Sequence, residues 1–185
     1  MLTIDQREMT VPGGGVYHGD GDSCFRRILV PVRAPGQAYP AMAVAARICG
    51  TTGVLRLVHV RTCDPPRRSA ARFYRETAAE AAAVLEEALL AAWACGGPRA
   101  STALVDARHG DVATAIAWQA SAWPADLIVL TRRPRLALTH LARRGVPDQI
   151  MRQASCPVLA IPARHDDREY HFTDPWPTGS GRRSS

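Results

Sequence analysis

Five arginines and one histidine fall within the run Thr131-Arg132-Arg133-Pro134-Arg135-Leu136-Ala137-Leu138-Thr139-His140-Leu141-Ala142-Arg143-Arg144. A guanidinium is a planar fork of donors that matches phosphate oxygens two at a time and stays charged in proteins. The run therefore reads either as a solvated basic face or as a seat for an anionic ligand. Other chemistry is thinly supplied. Histidines 18, 59, 109, 140, 165 and 171 show no metal-ligand spacing, and although His165 and His171 have Asp166, Asp167 and Glu169 nearby, no metal is expected. No Walker motif or G-x-G-x-x-G follows an apolar run, and no G-x-S-x-G elbow exists. Few carboxylates fall at loop tips: Asp64, Asp106 and Asp111, the last suited to capping a helix. Cys63 lies near Arg61, which could lower a thiol pKa, but an inert thiol is the simpler reading.

The elements that must position these groups alternate along the chain. Arg27–Val32, Val54–Val60, Thr102–Ala107, Asp126–Leu130 and Pro157–Pro162 are short apolar runs that suit buried strands. Arg56 and His59 are expected near the ends of the second strand or against a helix rather than deep in the core. Helices are expected over Tyr39–Cys49, Ala71–Cys95, Val112–Trp123 and Pro147–Ala154. On the longest, Phe73, Ala81, Val84, Leu85, Ala88 and Ala92 form one stripe, and Arg72 and Glu76 form an i,i+4 pair. Trp93, Trp118 and Trp123 lie on or at helices, where core packing would account for them. Strand and helix alternating in this way predicts an α/β fold: a doubly wound, five-stranded parallel sheet with helices on both faces. Ligands of such sheets sit beyond the carboxyl ends of the strands, where strand order reverses. That directs attention to Arg33–Gln37 and Thr131–Gly145.

Length and composition bound the rest. The chain has 185 residues, 46% hydrophobic, enough for one domain with tails. Residues 1–24 read as a flexible leader, 25–164 as the folded domain and 165–185 as a flexible tail. Gly13-Gly14-Gly15 lacks the strand and helix flanks of a phosphate loop, so it belongs with the leader. No apolar run approaches the roughly 18 residues of a membrane span. The five cysteines (24, 49, 63, 95, 156) include no C-x-x-C pair, so a reducing cytoplasm is expected. Net charge is +6, and all 23 basic residues are arginine. A GC-rich genome would produce that bias, and a phosphate-gripping surface would use it.

Five segments, in order, resemble the universal stress protein family. Arg26-Arg27-Ile28-Leu29-Val30-Pro31-Val32 is similar to its opening strand, and Leu57-Val58-His59-Val60 to its second. His109-Gly110-Asp111-Val112-Ala113 resembles its G-D-x-A turn, and Ala125-Asp126-Leu127-Ile128-Val129-Leu130 its fourth strand. Gln149-Ile150-Met151-Arg152-Gln153-Ala154-Ser155-Cys156-Pro157-Val158-Leu159 resembles its last helix and strand. The resemblance covers about residues 26–162. It implies an adenine nucleotide alpha hydrolase-like, Rossmann-like fold and, in many members, an ATP site signed by Gly-x2-Gly-x9-Gly followed by Ser or Thr.

Laid on this chain, those four positions become Thr131, Pro134, Arg144 and Gly145, and the family's adenine-side Asp becomes Arg33. Pro31, Val60 and Val146 keep apolar types usual around the nucleotide. The implied pocket is thus Pro31, Arg33, Val60, Leu130, Thr131, Arg132, Pro134, Arg144, Gly145 and Val146. Pro134 has no N–H to offer a phosphate, and Arg33 cannot accept a hydrogen bond as Asp can. The expectation is a non-catalytic stress-response protein with lost or weakened ATP binding, no catalytic residues, no cofactor and an unknown protein partner. Its alternative is a sensor whose arginine-rich loop binds a nucleotide or other phosphate-bearing small ligand. A slow nucleotide hydrolase and a nucleic-acid binder rank below both. In the family the last strand commonly pairs across a dimer axis, which implies a homodimer through Val158–Ile161.

Overall fold

The computed structural model describes residues 4–5, 25–62, 76–96, 99–107, 111–132 and 145–163. The expected leader and tail, the expected start of the long helix over 71–75, and Pro134 and Arg144 lie outside the described residues. So do Cys63, Arg72, Phe73, Arg133 and Arg135, and every histidine except His59.

Five strands run parallel: β2 (Arg27–Pro31), β3 (Val54–Thr62), β4 (Arg99–Ala107), β5 (Leu127–Arg132) and β6 (Val158–Pro162). Four helices connect them: α1 (Pro35–Cys49), α2 (Ala78–Ala94), α3 (Val112–Ala122) and α4 (Val146–Gln153). The expected parallel sheet and helices are present. A sixth strand, β1 (Ile4–Asp5), comes from the expected leader and lies antiparallel on β4, with Ile4 opposite Val105. Strand order is β1-β4-β3-β2-β5-β6.

The continuous apolar runs arise because both sheet faces are covered. Ile28 and Val30 point to one face, where α1 and α2 pack through Ala41, Met42, Ala45, Ala88 and Ala92. Leu29 points to the other, toward Ala113, Ile116 and Ala120 of α3 and Ile150 of α4. Alanines on α1–α3 let those helices approach the sheet closely, and most of the large fully buried apolar side chains come from the strands.

Local chemistry sets the element ends. Thr77 caps α2: its hydroxyl accepts from Glu80 N–H at 3.2 Å, and Glu80 Oε2 accepts from Thr77 N–H at 2.8 Å. This capping box starts the helix after Thr77, so Glu76 and Thr77 are not helical, unlike the expectation. Asp111 caps α3 by accepting from Thr114 N–H at 3.1 Å, as expected. Asp126 Oδ2 accepts from both Arg26 N–H (2.9 Å) and Arg27 N–H (2.8 Å), joining the starts of β2 and β5.

Two tertiary expectations are corrected. Arg56 and His59 are not peripheral but 5% and 4% exposed in the body of β3. Trp123 makes Arg56 tolerable there: its ring lies 5.4 Å from the Arg56 guanidinium and 4.9 Å from that of Arg27. Trp93 and Trp118 are not core residues; they are 59% and 39% exposed.

Candidate functional site

The chain passes from β4 across to β5, and β5 lies beside β2, so strand order reverses between β2 and β5. The loops leaving those two strands flank the crevice in which doubly wound folds hold ligands.

From β2, Pro31 is half-buried and the buried Val32 follows, its N–H donating to Val58 O at 2.8 Å. Arg33 then stands exposed. On neighbouring β3, Val60 is half-buried and packs toward the α3–α4 face. On β5, Leu130 is buried in that same face. Thr131 is half-buried, and its Oγ1 is enclosed with no hydrogen-bond partner among the described residues. Arg132 ends the strand, and its Nη2 lies 3.4 Å from Asp148 Oδ1 in the first turn of α4.

Gly145 is the N-cap of α4, with φ −65° and ψ 161°, extended backbone open to any residue. A glycine there leaves the helix without a side-chain cap, which Ser or Thr would have provided. Val146 begins the helix and is 39% exposed. A helix N-terminus ordinarily favours an anion through its free N–H groups and its dipole. Here Asp148 already puts a carboxylate in the first turn, and Arg132 accompanies it.

The structure thus brings Pro31, Arg33, Val60, Leu130, Thr131, Arg132, Gly145 and Val146 to one end of the sheet. The Arg132–Asp148 pair was not foreseen; the only trace in the sequence is an acid three residues past the glycine. Also unforeseen is the pair of Arg61 and Asp106 at the same end of β3 and β4. The guanidinium meets the carboxylate through two bonds of 2.7 Å, as register neighbours. Among the described residues no group of three or more His, Cys, Asp or Glu could hold a metal ion. None of their helices is long and apolar enough to cross a membrane.

A parallel sheet with paired helices on each face and a switch-point crevice defines a doubly wound, Rossmann-like α/β domain. The profile of the Universal stress protein family matches residues 25–162. The chain belongs to that family. Among solved structures, a universal stress protein in complex with cAMP is 21% identical, covering 75% of this chain and 98% of its own (TM-score 0.57). A universal stress protein family member from Burkholderia pseudomallei is 26% identical, covering 77% and 100% (TM-score 0.53). The universal stress protein from Archaeoglobus fulgidus in complex with dAMP is 19% identical, covering 74% and 98% (TM-score 0.50). No curated protein matches the chain.

Proposed function

We propose that this chain is a non-catalytic stress-response protein in which the family's ATP-binding mode is lost or weakened. In this reading it acts in the cytoplasm as a homodimer, through protein partners. The observation that carries the reading is the start of α4. There Gly145 offers no hydroxyl, Asp148 occupies the helix's positive end, and the Arg132 guanidinium is paired with it. Arg33, exposed where the family carries an acceptor, supports the same conclusion from the β2 side. The non-catalytic assignment rests on the lack of a general base or metal-binding carboxylate set in the sequence.

A second reading has its own support. Two similar structures carry cAMP and dAMP, and Arg33 is exposed at the crevice. An anion could therefore be held by guanidinium groups in place of backbone donors. Calorimetric titration of ATP, cAMP, dAMP and inorganic tripolyphosphate at near-physiological salt separates the two. The expected result is ATP binding no tighter than about 1 mM, that is, weaker than about −4 kcal/mol, with no phosphate release. Micromolar ATP binding would overturn the proposal. Tripolyphosphate binding that weakens with salt and in Arg33→Ala would favour the sensor.

A further inference from the structure

His59 is buried in β3, and both of its ring nitrogens meet oxygen. Nδ1 lies 2.8 Å from Val32 O, and Nε2 lies 2.8 Å from Glu76 Oε2. A backbone carbonyl can only accept, so Nδ1 must carry a hydrogen. In a neutral ring Nε2 then presents a lone pair, and against a carboxylate at that distance the contact would be repulsive. One additional proton resolves it, held either on the imidazole or on Glu76. The pair is therefore a one-proton device, whichever side formally owns the proton.

Its placement gives that proton leverage. Val32 directly follows β2 and precedes Arg33, at the crevice end of the sheet. Glu76 directly precedes Thr77, the cap of α2. The bridge Val32–His59–Glu76 thus ties the start of α2 to the site's first strand across the interior. We infer that this bridge is a pH-sensitive latch: protonated, it fastens the N-terminal end of α2 to the crevice; deprotonated, it lets that end go. The inference goes beyond the proposed function and holds whether or not a nucleotide binds.

On this side of the sheet, the other charged groups among the described residues are bonded elsewhere or exposed. On β3 and β4, Arg61 and Asp106 hold each other two residues further along. From α2, Glu80 is occupied by Thr77 through both N–H and hydroxyl, each at 2.8 Å. After β2, Arg33 is exposed. From α1, the first three turns contribute Tyr39 but no charged side chain. Among the described residues, Glu76 is the carboxylate aimed at the ring.

The direction follows from the geometry. The native contact requires the proton, so its contribution to stability is complete while the proton is held. It falls as rising pH removes it. The test is amide hydrogen exchange of the intact protein from about pH 5 to 9, corrected for intrinsic exchange, beside the same series on Glu76→Gln. A glutamine amide can donate to a neutral Nε2, so this variant keeps the bridge without the extra proton. Glu76 is partly exposed, and the change preserves shape.

The wild type is expected to lose protection at residues 80–84 and at Val32 by about tenfold or more toward high pH, as befits losing a charge-assisted hydrogen bond. Glu76→Gln should give a flat profile. Equal pH dependence in the two proteins, or a flat wild-type profile, would overturn the inference. Nucleotide titration is a separate readout, so failure here leaves the proposed function standing.

Discussion

Cys49 shows how packing decides what a side chain can do. It ends α1, fully buried, with its Sγ 3.8 Å from Arg26 O and against the bare Cα side of Gly53. A β-carbon on Gly53 would collide with that sulfur and lie 2.7 Å from Cys49 O, so only glycine fits the turn. Burial, helped by the negative charge of Asp126, pushes the Cys49 thiol up to about 12. The folded protein therefore holds the thiol proton more tightly than the unfolded chain, whose cysteine titrates near 9.0. That difference stabilises fully below pH 9 and is lost as pH rises from there toward 12. Unfolding measured by urea between about pH 8 and 10.5 should show stability falling, by at most roughly 1.4 kcal/mol per pH unit from this group. In Cys49→Ala the baseline will be lower, but the slope above pH 9 should be shallower. Parallel slopes would show that the thiolate plays no part.

At the scale of elements, strands and caps were legible and their partners were not. Runs such as Ile28-Leu29-Val30 carry their burial in their own composition, and Asp111 announces the start of α3 one residue ahead. The start of α1 was less clear. The chain enters the helix at Pro35, where a proline's missing N–H costs nothing, and Pro40 inside the helix obscures the pattern. Arg56 and His59 look like interruptions of β3 because what accommodates them, Trp123 and Glu76, lies outside the strand, further along the chain. Asp126 belongs to the same class: as one residue before β5 it reads as a polar boundary, yet it holds two strand starts together. Asp126→Ala should cost about 1–3 kcal/mol, because two backbone N–H groups lose their acceptor. Asp126→Asn should recover most of that, since an amide oxygen can take both bonds. If thermal or chemical denaturation ranks the two variants equally, the charge and not the acceptor geometry sustains the junction.

For the whole molecule, the basic balance of the sequence divides once partners are known. Arg27 and Arg56 face Trp123, Arg61 holds Asp106 and Arg132 meets Asp148, so these arginines serve the fold or each other's neighbours. Arg33 is the exposed arginine at the crevice end of β2. The other whole-molecule question is how the proposed dimer closes the sheet. Among the described residues β6 is a sheet edge, pairing with β5 alone. Leu159 and Ile161 pack on the α1–α2 core, so charging them would test folding as much as association.

The backbone offers a cleaner route. Pro157 O accepts from Ile128 N–H at 3.0 Å, and Ala163 N–H donates to Arg132 O at 2.9 Å. In a parallel ladder this phase turns the N–H and C=O groups of residues 157, 159, 161 and 163 toward β5. Those of 158, 160 and 162 point outward, and Pro162 duly sits at an outward position, where it needs no N–H. Ala160→Pro would remove the central outward donor while sparing every bond to β5. If two copies pair edge to edge along β6, light scattering should find the variant monomeric at concentrations where the wild type has dimer mass. Its far-ultraviolet circular dichroism should be unchanged. A variant that keeps dimer mass would place the interface on another surface. The exposed Leu90 and Trp93 of α2 would then be the next residues to replace.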